Sequence, residues 1–139
     1  MKVEYRTPAG TGSYTVLADD SVTTLAAQIS GFQPAYSKSP MQAPGYGAAV
    51  PVTLDLGNGH YRIAFSVDRV HASAAEAALF LLNEMAKFTG SLDLKITVGA
   101  QVTYLAGTVL TECTPDPQSD QSTKIRYAFN GGLYTTTAP

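Results

Sequence analysis

The sequence predicts a mainly β, α+β fold: an antiparallel β-sandwich or small barrel flanked by a single α-helix at about residues 73–89. Segments in which apolar and polar residues alternate recur along the chain, and tight-turn residues join most of them. Only one stretch has helical periodicity. With 139 residues, the chain is expected to form one domain, 1–139, that buries about two-thirds of its unfolded surface.

The first part of the chain is expected to contain short strands and then a long loop. Residues 2–7 form a short edge strand or an arm, and segments 13–17 and 21–29 are plausible strands rich in Thr, Val, Tyr and Leu. Residues 33–51 read QPAYSKSPMQAPGYGAAVP, with four prolines and two glycines. Because prolines at this spacing interrupt helices and central strands, we expect a long extended loop, which in a compact domain is usually functional or disordered.

A hairpin is predicted directly after this loop. Segments 50–56 and 60–70 flank Gly57-Asn58-Gly59, and Asn-Gly favours the positive φ angles of a type I′ turn. The second segment alternates, so one face is buried and one is wet. Its predicted inward residues are Tyr61, Ile63, Phe65 and Val67.

Further strands are predicted after residue 90. Segment 91–98 alternates without a fault, Gly99-Ala100 suits a type II′ turn, and segment 101–113 returns along it. Gly107 within the returning strand indicates a bulge. A polar loop at 114–122 then leads to the last predicted strands, at 123–129 and 133–137.

The helix is predicted in the stretch HASAAEAALFLLNEMAKFTG, residues 71–90. Ser73 and Glu76 have the spacing of a capping box, and Gly90 lies where a left-handed cap is needed. The polar stripe consists of Glu76, Asn83, Glu84 and Lys87. Apolar residues span roughly 200° of the remaining surface, about twice what packing on one sheet requires.

Three covers for the second apolar flank remain open: the 33–51 loop, a second subunit, or the end of a barrel that the helix plugs. Phe80 falls within the polar stripe with no evident partner, so we expect Phe80→Ser to disturb assembly more than folding. If Leu82 is a core residue, Leu82→Ala costs about 2–5 kcal/mol.

No motif predicts catalysis, a cofactor or a metal site. His60 and His71 are the only histidines, and His71 is expected to pack or hydrogen-bond beside the helix cap. Cys113 is expected to be a small buried hydrophobe. We therefore expect a protein that is not an enzyme, with no cofactor, no bound metal and no small-molecule substrate.

Charge and hydropathy limit the partners. The nine basic residues never cluster beyond a pair, which argues against binding nucleic acid by phosphate neutralisation. The longest apolar run has six residues and the first residues lack an apolar signal region, so we expect no membrane segment and synthesis in a cytoplasm. Charged residues make up only 14% against a usual quarter, as in a surface covered by neighbours or in a small Thr-, Ser-, Ala- and Gly-rich β protein.

The order of these parts resembles the tail-tube fold of long-tailed bacteriophages, shared by tube, distal tail and tail terminator proteins and by related secretion-tube proteins. The resemblance is one of layout and covers about residues 13–137. It implies a β-sandwich with one flanking helix that forms six-fold rings, in which neighbouring sheets join into an inner barrel and a long loop reaches the adjacent ring. Ring closure would also remove the exposed edges of an open sheet.

The resemblance also implies roles for individual segments. Residues 33–51 match the inter-ring loop, and segments 50–56 and 60–70 line the lumen. The implied partners are further copies in a homo-oligomeric, hexameric ring, neighbouring virion proteins and, at most passively, DNA in a lumen; the implied location is the virion. The implied interface residues are Tyr36, Met41 and Tyr46 in the loop and Phe80, Glu84 and Lys87 on the helix.

Two other classes of function remain open. One is another virion component, a capsid decoration or head–tail connector protein. The other is a small β-sandwich module that binds carbohydrate or peptide on an aromatic platform formed by Tyr36 and Tyr46.

Overall fold

The computed structural model describes residues 1–7, 12–20, 28–38, 41–43, 52–54, 59–88, 90–116 and 121–139. Within these ranges the chain forms strands and one helix, α1 (Ala74–Lys87). The strands, in chain order, are β1 (Lys2–Arg6), β2 (Thr15–Asp19), β3 (Gln28–Lys38), β4 (Met41–Ala43), β5 (Val52–Leu54), β6 (Gly59–Val70), β7 (Ser91–Val98), β8 (Gln101–Asp116), β9 (Ser122–Asn130) and β10 (Leu133–Thr135).

The described strands form one large antiparallel sheet and a separate small one. The large sheet has the order β2-β1-β7-β8-β9-β6-β3, with β10 paired to β8, whereas β4 and β5 pair with each other. The predicted mainly β fold with one helix is therefore confirmed. The sheet also curls, because its first and last strands, β2 and β3, contact each other.

The curled sheet encloses one hydrophobic core. Both ends of the sheet contribute to it, Leu17 from β2 and Phe32 from β3. The largest fully buried side chains lie on the central strands: Tyr127, Phe65, Phe129, Leu94 and Leu105. The apolar residues that alternate along β6 and β7 thus face this core, and the polar residues between them lie toward the outer face of the sheet.

Strand β8 changes its neighbour partway along its 16 residues. Its first half pairs with β7 and its second half with β9. Between the partners of Leu92 and Leu94 it carries one residue more than β7, and Gly107 has a φ of 72° there. The predicted bulge is confirmed, and the Gly107 amide donates a 3.0 Å hydrogen bond to Oδ1 of Asp93.

The hairpin and loop predictions between residues 33 and 70 are partly wrong. Strand β6 pairs with β3, not with the segment before it, and Lys38 lies opposite Gly59. Residues 33–38, predicted as loop, therefore form an edge strand, where Pro34 is tolerated because one side of the strand is unpaired. The β4/β5 pair, with Met41 opposite Leu54, is nested inside the β3/β6 pair along the chain. Residues 39–40, 44–51 and 55–58 lie outside the described residues.

Helix α1 begins and ends where the sequence predicts, within two residues. The Ser73 side chain accepts a 3.2 Å hydrogen bond from the amide of Glu76, which is the Ser73 half of the capping box. Phe88 is extended after the last turn, and Gly90 has a φ of 72°. The helix lies against β8 and β9.

Candidate functional site: the helix and the two ends of the sheet interior

A chain of buried hydrogen bonds connects the helix to the sheet. The hydroxyl of Tyr127 donates to Oε1 of Glu84 at 2.9 Å and accepts from Nη1 of Arg69 at 3.2 Å. Nη2 of Arg69 donates to the carbonyl of Leu17 at 2.9 Å. Strands β2, β6 and β9 and the helix are therefore joined by hydrogen bonds through the Arg69 guanidinium, the Tyr127 hydroxyl and the Glu84 carboxylate.

Burial determines the protonation of this group. Burial raises the pKa of Tyr127 far above its ordinary value, and the Arg69 guanidinium acts in the opposite direction. Burial, then the nearby Glu84 carboxylate, raises the pKa of the Cys113 thiol. Both groups are therefore neutral at pH 7, and Tyr127 keeps the proton with which it binds Glu84.

The inward face of the helix differs from the one the sequence predicts. Phe80 has partners within the chain: its ring centroid lies 4.8 Å from the Arg69 guanidinium carbon and 4.9 Å from the His71 ring centroid. Glu84 is only 3% exposed, so its carboxylate faces the sheet and not a neighbouring subunit. His71 hydrogen-bonds through Nε2 to Oγ1 of Thr123 at 2.9 Å, which confirms its expected packing role.

The outward face of the helix is mainly apolar, with the exposed side chains of Glu76 and Asn83 along one edge. Leu79, Leu82 and Met85 are 59%, 69% and 53% exposed. With Ala75, Ala78 and Ala86, which are also exposed, they cover the side of α1 that faces away from the sheet. We call Leu79, Leu82 and Met85 the helix ridge. The condition that Leu82 is a core residue is not met, because the buried positions of the helix belong to Ala77 and Glu84.

Lys87 lies on the flank of the helix, between the ridge and the sheet. Its ammonium group is 3.8 Å from Oε2 of Glu84 and lies over the rings of Tyr5 and Phe88, at 5.1 and 5.4 Å. Both contacts are within the chain, and the side chain remains 41% exposed. Only part of the Lys87 side chain is therefore accessible to a neighbouring subunit.

A groove opens at the other end of the sheet interior. It has a volume of about 250 Å³ and lies between β3, β6, β7, β8 and β10. Ile63 and Ile96 form its floor, and Val98, 52% exposed, lies at its rim. None of the described residues that line it carries a charge; the others are Phe32, Pro34, Tyr61, Thr103, Tyr104, Leu105 and Tyr134.

The predicted loop residues reach different parts of the structure. Tyr36 lies on β3 and begins a row of aromatic rings, 4.6 Å from Tyr61, which is 5.8 Å from Tyr134. Gly59 lies beneath the Tyr36 ring, which any larger side chain there would overlap. Met41 lies on β4, and Tyr46 falls outside the described residues.

The outer face of β6, β9 and β8 carries a cluster of two arginines and one glutamate. Glu112 lies between two arginines, with Oε2 at 3.8 Å from Nη2 of Arg62 and Oε1 at 3.7 Å from Nε of Arg126. Side chains of this face point away from the core because they occupy the alternate positions of each strand. This face therefore presents arginines that are already partnered.

The structure describes no metal cluster and no spanning helix. Within the described ranges, no three His, Cys, Asp or Glu side chains lie together as metal ligands. In the same part of the chain, no helix combines the length and apolar character needed to cross a membrane.

Sequence reasoning missed Arg69 and Tyr127. Arg69 continues the inward positions of β6, two residues beyond Val67. A charged residue at an inward position requires a buried partner, so the alternation itself carried the signal. The alternation of Ile125, Tyr127 and Phe129 favours an inward Tyr127, but its partner on the helix is separated from it by 43 residues, which no local pattern connects.

No family model matches the chain, and no curated protein matches it in sequence. Among solved structures, a chain of the virion of a native gene transfer agent particle is 11% identical, and the match covers 86% of this chain and 92% of that one with a TM-score of 0.50. A chain of the tail of an empty gene transfer agent particle, computed with helical refinement and C6 symmetry, is 12% identical over 99% of this chain and 95% of that one, with a TM-score of 0.49. The likeness to the virion chain concerns the fold alone, which is consistent with the phage tail-tube-like fold that the sequence layout resembles.

Proposed function

We propose that this protein is a structural component of a phage-like particle and that it assembles with copies of itself into a ring or tube. The observation that carries the proposal is the orientation of the helix, which buries Glu84 and exposes Leu79 and Leu82. Large exposed apolar patches on a folded protein commonly mark contact surfaces. The fold shared with a virion chain supports the same class of function.

The nested hairpin supplies a second contact region. Strands β4 and β5 lie between β3 and β6 along the chain, and the sequence between residues 39 and 58 carries a single charge, Asp55. We infer that Tyr36, Met41 and Tyr46 contribute to contacts between rings. Substituting Met41 and Tyr46 together by Ala is expected to shorten or abolish tubes while leaving single rings.

Solution mass tests the proposal directly. Sedimentation velocity over a hundredfold range of protein concentration should show species larger than one subunit, and negative-stain microscopy should show rings or tubes. A chain that remains monomeric at the highest concentration would contradict self-assembly. Binding to capsid shells without self-assembly would instead favour a decoration or connector protein.

A matched pair of variants locates the contact. Leu82→Lys places a charge on the helix ridge and should lower the assembled fraction at least tenfold, because the charge would lose its hydration in the interface. Thr114→Lys places the same charge on the exposed outer face of β8 and serves as the control. Equal effects of the two substitutions would show that the ridge has no special role.

We also propose that the paired outer face of β6, β8 and β9 faces a lumen that lets DNA pass. A wall that bound DNA tightly would hinder passage, and Glu112 occupies both Arg62 and Arg126. Glu112→Gln releases the two arginines, so we expect salt-dependent DNA binding that the wild-type protein lacks. Binding measured at 50 and 200 mM salt (about the range over which phosphate contacts weaken) tests this, and equal weak binding by both proteins would contradict it.

A further inference from the structure

The helix ridge and the apolar groove lie at opposite ends of the same interior. Strand β6 runs from Tyr61 and Ile63 at the groove to Arg69 beneath the helix. The eight steps from Tyr61 to Arg69 span about 26 Å at roughly 3.3 Å per residue. The helix covers one end of the interior, and among the described residues the groove opens at the other end.

The two surfaces are complementary in charge and form. Within 74–87, Glu84 points inward and Lys87 lies beside Tyr5, whereas Glu76 is exposed one turn before Leu79, at the edge of the ridge. The groove is lined without charge by its described residues. Bringing Leu82 into the groove would therefore leave Glu76 at the edge of the contact, where water can reach it, and it would cover the exposed leucines of one surface and the exposed valine of the other.

The size of the groove favours protein side chains as its occupant. Its volume, about 250 Å³, falls below the roughly 300–1,000 Å³ typical of small-molecule pockets. Two or three aliphatic side chains spaced along one helix are convex and project into such a groove, as ridges do between packed helices. The chain itself carries such a ridge, so a second copy can supply the occupant.

We propose that the helix ridge of one subunit docks into the apolar groove of the next, as a head-to-tail interface between copies of this chain. The proposal rests on the proposed self-assembly and specifies which surfaces meet. Because this interface joins two different surfaces, every dimer still has one unoccupied ridge and one unoccupied groove. Further subunits therefore add until a ring closes or a filament forms. A stable contact buries about 800 Å² per partner, more than the ridge alone offers, so the strands around the groove also take part.

Cross-linking between two differently tagged chains tests the pairing. Both chains carry Cys113→Ser, which removes the native thiol. One also carries Leu82→Cys and the other Val98→Cys; the two are co-expressed and treated with a short bismaleimide. We expect a cross-linked pair that contains both tags, and none when Thr114→Cys replaces Val98→Cys as the control.

The outcomes separate the interface from the assembly. A product formed by the Leu82→Cys chain alone would indicate a symmetric helix-to-helix contact and overturn the proposal. Absence of a mixed product in particles that sedimentation shows to be assembled would also overturn it, while the proposed function stands. If both chains stay monomeric, the proposed function fails as well. Charge exchange gives an independent readout: Leu82→Glu and Val98→Lys should each lower assembly, and a mixture of the two should restore it.

Discussion

Removal of one hydroxyl group tests whether the buried hydrogen-bond chain holds the helix on the sheet. Tyr127→Phe keeps the ring, its volume and its contacts, so it opens no cavity. It removes the donor to Glu84 at 2.9 Å and the acceptor of Arg69 at 3.2 Å. Leaving a buried polar group without its partner costs about 1–3 kcal/mol, and more when the group is charged.

The remaining contacts set the expected total. Arg69 still donates to the carbonyl of Leu17, and the Lys87 ammonium still lies 3.8 Å from Glu84. Each charged group thus keeps one of its contacts in the variant. We therefore expect Tyr127→Phe to lower the free energy of unfolding by about 2–4 kcal/mol. The two losses are coupled through one hydroxyl and are not expected to add in full.

Urea denaturation followed by circular dichroism at pH 7 measures this difference. Tyr134→Phe is the matched control because its side chain is 48% exposed, and it should change the free energy of unfolding by less than about 0.5 kcal/mol. A cost for Tyr127→Phe no larger than that of the control would refute the reasoning. It would mean that packing alone, chiefly of Phe88 on the Tyr127 ring, fixes the helix.

Three further results are expected. Leu82→Ala, at an exposed position, should change the free energy of unfolding of the subunit by less than about 0.5 kcal/mol. Leu94→Ala, at a fully buried position, should lower it by about 2–5 kcal/mol. Equal losses of stability in urea denaturation would contradict the observed burial. Ser73→Ala should cost about 1 kcal/mol by the same measurement, because the helix loses its cap, and Ser73→Asp should restore most of it. Burial raises the folded-state pKa of Tyr127 above its unfolded value near 10, so the stability that the protonated hydroxyl contributes is complete below about pH 10 and is lost as the pH rises further. Above that pH, the free energy of unfolding of the wild-type protein should fall by up to ~1.4 kcal/mol per pH unit more than that of Tyr127→Phe. Parallel pH profiles of the two proteins would exclude this effect.

Features fixed by local chemistry were predictable from the sequence. The Ser73 cap, the left-handed Gly90 and the Gly107 bulge each follow from a residue type whose backbone preference or hydrogen bond is local. Gly99, with a φ of 59°, sits in the predicted turn for the same reason. These features need no information about distant parts of the chain.

Strand pairing was not predictable at the long hairpin. Asn58-Gly59 favours a turn locally, but the pairing of Ile63 is decided by which segment reaches it, and that segment includes Pro34. Proline is excluded from a central strand but is tolerated in an edge strand. The rule that predicted a loop therefore holds for a central strand and not for the edge position that Pro34 occupies. A single sequence does not indicate which strand will be at an edge.

The helix presents a different difficulty, since its apolar arc is too wide to define an inward face. The hydrophobic pattern alone is compatible with two rotations of α1, one with Leu82 inward and one with Ala77 inward. Glu84 decides between them, because only one rotation places its carboxylate against Tyr127 and, through it, Arg69. The buried charge thus selects the rotation at a cost in desolvation, a role that polar core residues are known to have in coiled coils.

This selection connects the interior of the subunit to its surface. When Glu84 points inward, Leu79 and Leu82 must point outward, since they lie on the opposite side of the same helix, and Met85 lies on its exposed flank. A purely apolar inward face would make a more stable isolated subunit, but it would leave the outward face undefined. Under the proposed self-assembly, the buried hydrogen-bond chain would hold the helix ridge in the one orientation that a repeating contact between identical subunits requires.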